Sequence, residues 1–401
     1  MSADPHVTPR GTLEAAALRI VSPPRLASLA LHALAVGISL ALAVGVLGLI
    51  LAAYGTSPIA VIDVVGTYAV TPQGWVAIVN KATTYYLAGL AAAIGFRMFL
   101  FNIGIDGQYR LGVFAAAVVG GAVELPFLLH VGLMIVVASA VAAAYAMVAA
   151  YLKAERGVSE VISTIMLNAI ATGIIAYLLA PSRFGVHQEG SNNVQTALIS
   201  DSGWVPSITV PGAGDVYGFT VVAVLVGVLF WLVTERSRFG FEVRAVGSSP
   251  RAALLGGSDP RRMVILTMLA SGMLAGLAGL PELLGATHRY GISFPAGLAW
   301  VGLSVAIIGR NHPVGVAGGA LLWAFLERCA LPLDLIGVPK EVVSIVQAVV
   351  VLSVVTAYEL VHRVSARRER RRAASVALGS ARPDADELPV AVSDPEQVTS
   401  R

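Results

Sequence analysis

Residues 126–152 read PFLLHVGLMIVVASAVAAAYAMVAAYL and contain no Asp, Glu, Lys or Arg. The run is longer than the roughly 20 apolar residues that a helix needs to cross the hydrocarbon core of a bilayer. The rest of the chain agrees, because 56% of its 401 residues are hydrophobic. Only 13% are charged, whereas a soluble domain typically has about 25% charged residues. We therefore expect an all-α integral membrane protein.

Ten segments of this kind follow one another along the chain, although several are short. They are residues 29–54, 76–96, 108–124, 126–152, 161–180, 219–234, 263–283, 298–309, 313–330 and 340–361. With the amino terminus inside, ten crossings place most of the 27 Lys and Arg residues on cytoplasmic connections, as the positive-inside rule requires. The charge distribution therefore predicts about ten transmembrane helices with both termini in the cytoplasm.

Polar segments precede, interrupt and follow the predicted membrane domain, residues 29–361. We expect residues 1–28 to form a cytoplasmic segment, residues 181–217 a long extracytoplasmic loop, and residues 235–262 an arginine-rich cytoplasmic loop. Residues 362–401 begin as HRVSARRERRR and then become rich in Pro, Asp, Glu and Ser, which is typical of a disordered tail. The basic cluster either contacts anionic lipid at the membrane surface or acts as a plain stop-transfer anchor.

The cytoplasmic loop contains the signals of a short helix in the stretch SSPRAALLGG, residues 248–257. Ser249 is a candidate N-cap, Pro250 suits the first helical position, and Gly256 suits the end. A helix of two turns is too short to be stable alone in water, so we expect it to dock against another surface. Ala252 and Ala253 would let that surface approach closely. The alternative is an ordinary arginine-rich loop.

Polar side chains also occur inside the apolar segments, where they usually face the bundle interior or a water-filled path. The stretch FNIGIDGQYR, residues 101–110, holds Asn102, Asp106 and Gln108 together with two glycines. Each glycine weakens a continuous helix by about 1 kcal/mol. We therefore expect a helix break or re-entrant turn, with Asn102 and Gln108 bonded to the freed backbone groups. The three polar residues either brace the bundle or line the transport pathway.

A second polar group lies on one predicted helix. Glu160, Thr164 and Asn168 recur at every fourth position and share one helical face, which Ser163 flanks. This pattern is typical of a helix that lines an aqueous path, but interhelical hydrogen bonds explain it as well, and Glu160 also suits a helix start. Tyr85 is a further candidate because its ring could stack on a base or sugar, although aromatic residues also gather at membrane interfaces.

Two small residues predict close helix packing. Gly272 and Gly276 are four positions apart in SGMLAGLAG, a spacing that lets two membrane helices approach closely. We interpret this pair as a packing surface rather than a ligand site.

Four ordered stretches resemble one family of transport proteins. Residues 244–253, RAVGSSPRAA, with Gly256 beyond them, resemble the coupling loop of ATP-binding cassette (ABC) importer permeases of the branched-chain amino acid, ribose and nucleoside group. FNIGIDGQ (101–108), EVISTIMLN (160–168) and AIIGRNHPVG (306–315) resemble motifs of the nucleoside and simple-sugar branch. Asp106 stands where that branch usually has glutamate.

This resemblance implies a multi-pass permease subunit of the bacterial plasma membrane that works by alternating access. Its cargo would be nucleosides, with simple sugars second and branched-chain amino acids third. The coupling residues implied are Arg244, Gly247, Ser249, Pro250, Arg251, Ala252, Ala253 and Gly256. The candidate pathway residues are Asn102, Asp106, Gln108, Ser163, Thr164, Asn168 and Tyr85.

The implied partners are an ABC ATPase subunit, a second homologous permease in a heterodimer, and an extracytoplasmic substrate-binding lipoprotein. The chain has no G-x-x-x-x-G-K-[ST] motif and therefore no Walker A loop. We accordingly expect ATP and Mg on the partner ATPase. For this chain we expect no cofactor, metal or nucleic acid, and no enzymatic activity of its own.

Two other classes are compatible with a polytopic membrane chain. An ion-gradient-driven secondary transporter would work from this chain alone, with an ionisable residue at mid-membrane on an inverted repeat. The sequence shows no convincing inverted repeat, and apart from Asp106 the acids in the apolar segments, Glu160, Glu282 and Glu327, lie near segment ends. A membrane-embedded enzyme would need a catalytic cluster, and no H-E-x-x-H motif occurs.

Overall fold

The computed structural model describes residues 37–38, 41–42, 44–53, 55, 57–188, 190, 193–292, 294–339, 341–357 and 363. The chain divides into two compact units, Leu42–Leu352 and the combination of Met1–Ala41 with Ser353–Arg401. The features below belong to the first unit. The predicted terminal segments 1–28 and 362–401 lie outside the described residues, apart from Arg363.

Helices form most of this unit. They are α1 (Val44–Ala53), α2 (Pro58–Tyr68), α3 (Pro72–Phe96), α4 (Ile105–Ala122), α5 (Phe127–Arg156), α6 (Glu160–Leu178), α7 (Phe219–Arg236), α8 (Arg238–Ser248), α9 (Pro250–Leu255), α10 (Pro260–Leu277), α11 (Leu298–Ile308), α12 (Pro313–Leu335) and α13 (Glu341–Ala357, within the unit up to Leu352). Between α6 and α7 lie two antiparallel hairpins. They are β1 (Gly185–His187) with β2 (Val194–Thr196), and β3 (Ile208–Val210) with β4 (Gly214–Val216).

The helices have the character of a membrane protein. Five of the described helices are long and apolar enough to cross a membrane by length and composition, namely α5, α6, α7, α10 with its extension to Thr287, and α12. Each of the ten predicted segments contains a described helix, as expected for an all-α integral membrane protein. The number of crossings and the side of the termini stay predictions. Below, "outer" is the side predicted for residues 181–217 and "inner" the side predicted for residues 235–262.

Helix α11 is too short to cross a membrane. Its 11 residues extend about 16 Å at 1.5 Å per residue, against about 30 Å of hydrocarbon. The helix within residues 298–309 therefore does not form a complete crossing by itself. The non-helical residues 294–297 lead into this half-length helix, and Phe294 among them is buried. Irregular backbone at membrane depth is tolerated where it is buried in protein in this way.

Two helices are absent from the sequence-based prediction. The 11-residue α2 lies between two longer apolar segments, so its hydropathy does not single it out. The sequence of helix α8 predicts a loop because it mixes charged with apolar residues. The helix is amphipathic, however, and buries Val243 and Val246. The inner loop is consequently largely helical, with α8 leading directly into the predicted short helix α9.

Four helices begin with the same local signal. The side chains of Ser57, Thr71, Ser249 and Asp259 each accept a hydrogen bond from a backbone N–H of the following turn, and the next residue is proline in every case. Proline suits this position because its missing N–H would have no partner within the helix. The start predicted for the short inner helix at Ser249 is therefore confirmed.

Small residues let α10 and α4 pack closely on α5. A Cβ atom added to Gly272 would lie 2.6 Å from the Cβ of Ala146, and one added to Gly276 would lie 2.3 Å from the carbonyl oxygen of Ala138. Gly112 of α4 approaches the same carbonyl, at 2.5 Å from its added Cβ. The packing predicted from the Gly272 and Gly276 spacing is thus confirmed.

The outer segment 181–217 is folded rather than an open loop. Its backbone is bonded to the segment after α10, because the N–H of Thr196 donates to the carbonyl of Tyr290 at 2.9 Å and that of Ile199 to the carbonyl of His288 at 2.9 Å. Trp204 stacks on the His288 ring at 4.0 Å between centroids. Burial lowers the pKa of His288. The hairpins escape prediction because each strand has only three residues.

Candidate functional site

The stretch 97–104 is a break between α3 and α4, as its glycines and polar residues predict. The α3 helix ends at Phe96, and Phe99 has a φ of 55° in the left-handed region. The α4 helix begins at Ile105 after Gly104, which provides no capping side chain. The backbone groups released here must therefore find partners elsewhere.

Asn102 and Gln108 close this break by bonding to each other. The Asn102 Nδ2 donates to the Gln108 Oε1 at 2.8 Å, and the Gln108 Nε2 donates to the Asn102 Oδ1 at 3.0 Å. The Asn102 Nδ2 also donates to the Ser271 Oγ at 2.8 Å, and that hydroxyl donates to the carbonyl of Ala91 at 2.6 Å. The prediction that these two amides hold freed backbone groups is wrong, because the paired amides use their polar atoms on one another and on α10.

Asn168 of α6 holds the freed backbone instead. Its Oδ1 accepts the N–H of Gly107 at 2.9 Å, and its Nδ2 donates to the carbonyl of Ile103 at 2.8 Å. The two glycines of the break allow this contact, since a Cβ on Gly107 would lie 2.9 Å from the Cβ of Ala171 and one on Gly104 would lie 2.7 Å from the Gln108 Nε2. The glycines therefore serve close helix approach as well as the break.

Asp106 links the start of α4 to the start of the half-length helix α11. Its Oδ1 accepts the N–H groups of Gly297 at 2.8 Å and Leu298 at 3.0 Å. Gly297 has a φ of 82°, a conformation that favours glycine. A carboxylate suits this position because the first N–H groups of a helix have no internal partner and the helix dipole is positive there.

The remaining polar residues of α6 are bonded within or beside their own helix. The Ser163 Oγ donates to the carbonyl of Ser159 at 3.0 Å, and the Thr164 Oγ1 donates to that of Glu160 at 2.7 Å. The Glu160 carboxylate lies 2.8 Å from the Lys153 Nζ at the inner end of the bundle. Thr164 and Ser163 are buried, so their predicted pathway role stays a prediction.

Tyr85 lines a cavity of about 360 Å³ on the outer half of the bundle, whose wall combines apolar with charged and polar side chains. Its hydroxyl donates to the Glu327 carboxylate, and its ring lies 5.7 Å from the Lys81 Nζ. The Lys81 Nζ is 3.7 Å from the Glu327 Oε1. Leu298, at the start of α11, forms part of the wall. Tyr85 is thus the one predicted pathway residue that this cavity includes.

Sequence reasoning missed Lys81 and Glu327. A signal was present, because each is a charged residue in an otherwise apolar segment, and such residues are costly in a membrane. Lys81 also lines a second cavity of about 350 Å³ together with Asn80, Tyr217 and Glu282. Lys81 of α3 therefore lines both cavities.

On the inner side, α8 rests on the turn that follows α3. A Cβ added to Gly247 would lie 2.4 Å from the carbonyl oxygen of Arg97 and 3.2 Å from the Cα of Met98. The Arg244 guanidinium donates to the carbonyl of Thr234 and lies 3.5 Å from the Glu235 carboxylate. Both predicted residues therefore fix α8 to the membrane helices.

The Arg97 side chain connects this turn to two more helices. Its Nη1 lies 2.6 Å from the Glu235 Oε1 at the end of α7, and its Nη2 donates to the carbonyl of Asn311 at 3.0 Å, between α11 and α12. The turn after α3 is thus the point where the inner ends of several membrane helices meet α8.

Helix α9 exposes most of its surface on the inner side. Ala253 is buried, but Leu254 is 61% exposed and Leu255 is 91% exposed. Arg251 and Ala252 are exposed too. Exposed leucines beside an arginine are suited to a protein partner rather than to water alone. The structure therefore brings the predicted coupling residues into one surface element with an anchored side and a free side.

Comparison with known proteins gives a consistent answer. Residues 74–355 match a family described as branched-chain amino acid transport system, permease component. A guanosine ABC transporter permease of Bacillus subtilis is 36% identical to the chain, over 70% of this chain and 81% of the relative. A glucose ABC transporter permease of Haloferax volcanii is 33% identical, over 79% and 84%. A nucleoside ABC transporter permease of Lactococcus lactis is 30% identical, over 66% and 74%. No solved structure gives a significant match.

Proposed function

Because the chain belongs to the family of branched-chain amino acid transport permease components, we propose that it carries nucleosides through the membrane as part of an ABC importer. Membership of this family makes it a multi-pass subunit of the bacterial plasma membrane and a transport component rather than an enzyme. The observation that supports nucleosides is the pair of relatives whose names specify guanosine and nucleoside, at 36% and 30% identity.

Simple sugars are the second candidate cargo. The Haloferax volcanii relative, named for glucose, is almost as similar to the chain at 33% identity. Branched-chain amino acids, which the family description names, rank third. Nucleosides and sugars are uncharged and rich in hydroxyl groups, whereas amino acids are zwitterions, and an uptake assay with one labelled compound of each class distinguishes the three.

The cargo is tested by reconstituting the complete transporter in proteoliposomes with ATP supplied to the ATPase subunits. The experiment measures uptake of radiolabelled guanosine, glucose and leucine. We expect ATP-dependent uptake of guanosine that exceeds uptake of the other two. Uptake of glucose or leucine without uptake of guanosine would refute the nucleoside assignment. Uptake by this chain alone, driven by an ion gradient, would instead indicate a secondary transporter.

Three partners complete the proposed transporter. They are an ABC ATPase that holds ATP and Mg, an extracytoplasmic substrate-binding lipoprotein, and a second permease. The exposed leucines of α9 support the ATPase as the inner partner. Bacillus subtilis has a further guanosine ABC transporter permease that is 22% identical to this chain, which supports two unlike permeases and hence a heterodimer. On this proposal the present chain binds no cofactor itself.

The proposed mechanism is alternating access coupled through α9. Closure of the ATPases moves α9, and α8 moves with it because Ser249 joins the two helices. The backbone of α8 touches the Arg97 carbonyl at Gly247, so the displacement reaches the break between α3 and α4. The membrane helices around this break then change their packing and open the pathway to one side or the other.

A further inference from the structure

The 360 Å³ cavity on the outer half of the bundle has the chemistry of a ligand site. We call it the outer cleft and define it by Lys81, Tyr85, Trp323, Glu327, Ser344 and Gln347. We propose that the outer cleft binds the ribose of a nucleoside during transport, with the Glu327 carboxylate accepting hydrogen bonds from the two vicinal hydroxyls. This inference rests on the proposed function and assigns it a site.

Size and wall composition fit a small polar molecule with an apolar face. Pockets for small ligands usually enclose about 300–1,000 Å³ and combine apolar walls with a few placed polar groups. Leu298 and Val301 of α11 form the apolar wall, and Trp323 of α12 adds an aromatic one. A half-length helix that begins beside the cavity is also a common feature of transport sites built from discontinuous helices.

The charged pair retains unused hydrogen-bonding capacity. The side chains of Lys81 and Glu327 are 37% and 43% exposed, so a ligand in the cleft can reach both. A carboxylate offers about four acceptor sites, of which the Tyr85 hydroxyl takes one, while Lys81 forms an ion pair at 3.7 Å, longer than a hydrogen bond. The nearly buried Tyr85 fixes the carboxylate in place. Glu327 can therefore accept two further hydrogen bonds, which is what a vicinal diol donates.

The charged residues of the outer cleft favour a neutral ligand that donates hydrogen bonds over an anionic ligand. Among the described residues that line the cleft, Lys81 is the one cation, whereas Glu327 and Glu341 are both acidic. Glu282 lines the neighbouring cavity, also beside Lys81. The excess of carboxylates attracts hydroxyl and amino donors and repels phosphate, so the cleft suits a nucleoside and disfavours a nucleotide. An amino acid carboxylate would meet the same repulsion.

The test compares a ribonucleoside with its 2′,3′-dideoxy analogue in the reconstituted complete transporter. Glu327→Gln keeps the volume and an acceptor for Tyr85 but removes the charge. In the unchanged transporter we expect uptake of guanosine to exceed uptake of 2′,3′-dideoxyguanosine. A hydrogen bond to a charged group changes affinity by about tenfold or more. We therefore expect Glu327→Gln to lower the guanosine preference by about that factor.

Because every variant uses the same binding protein, the change in the uptake ratio reports on the permease. Asp334→Asn is the matched control, since Asp334 is exposed on the same helix and lies outside the cleft lining. It should leave the ratio unchanged. A purely structural role of Glu327 would lower uptake of both compounds equally and would overturn the inference.

A second variant covers the case in which Glu327→Gln does not fold. Lys81→Gln removes the cation from the opposite helix, and we expect it to lower the same ratio, because Lys81 holds the carboxylate and donates to the hydroxyl oxygens. An unchanged ratio in the variant that folds would refute the site. If the unchanged transporter takes up neither compound, the proposed function fails instead, so the two failures are distinguishable.

Discussion

At the scale of single residues, the paired amides of Asn102 and Gln108 are the polar groups whose burial depends most on an intact partner. Each is 1% exposed, and each depends on the other for two hydrogen bonds. A buried polar group that loses its partner costs its full desolvation free energy, whereas removing both partners avoids that cost. The pair is therefore expected to act as a unit in stability.

A double-mutant cycle tests this coupling. We expect Asn102→Leu and Gln108→Leu each to lower the free energy of unfolding by roughly 1–3 kcal/mol, because each removes both hydrogen bonds of the pair and leaves buried polar atoms of the other amide without a partner. The double variant should lose clearly less than the sum of the two. The measurement is thermal or denaturant unfolding of the purified protein in detergent. Additive losses would show that the two amides are not coupled.

At the scale of helices, the contact between α8 and the turn after α3 is the step on which the proposed transmission of motion into the membrane depends. The contact is made by backbone atoms, with Gly247 on one side and the Arg97 carbonyl on the other. A side chain of any size at position 247 would force the two apart. The close approach therefore depends on glycine.

Gly247→Ala should uncouple transport from ATP hydrolysis. The added Cβ would lie 2.4 Å from the Arg97 carbonyl oxygen, so α8 must shift away from the turn. We expect lower nucleoside uptake for each ATP hydrolysed, while the ATPase subunits stay bound. Gly132→Ala in α5 is the control, because its added Cβ meets nothing within 4 Å. Equal coupling ratios in the two variants would contradict the transmission route.

Prediction from sequence was most successful for structural features that have a local cause. Apolar length and the cap signal at Ser249 depend on consecutive residues, and both correspond to helices in the structure. The outer cleft was missed because Lys81 and Glu327 are distant in sequence and meet only when α3 packs on α12. The sequence assigned the freed backbone groups to Asn102 rather than to Asn168 for the same reason, since the partners of both amides lie on other helices or across the break.

At the scale of the whole molecule, α9 is an exposed element of the inner surface and the expected contact with the ATPase. Ala252→Glu places a charge on its free side, and we expect it to weaken association with the ATPase subunit. Co-purification of the ATPase with this chain from detergent-solubilised membranes measures the effect. Ala286→Glu is the control, because Ala286 is also exposed but lies on the outer side. Equal recovery of ATPase with both variants would refute the docking assignment.

In the assembled transporter, the Asp106 carboxylate makes the start of α4 and the start of α11 move together. It holds Gly297 and Leu298 at 2.8 and 3.0 Å, and Leu298 is part of the wall of the outer cleft. Any displacement of the start of α4 must either drag that wall along or break two charge-assisted hydrogen bonds. The Asp106 side chain is thus a rigid link between the outer cleft on one side of the membrane and the turn after α3 on the other. The width of the cleft depends through this link on the position of that turn. The short side chain of Asp106 sets the length of that link.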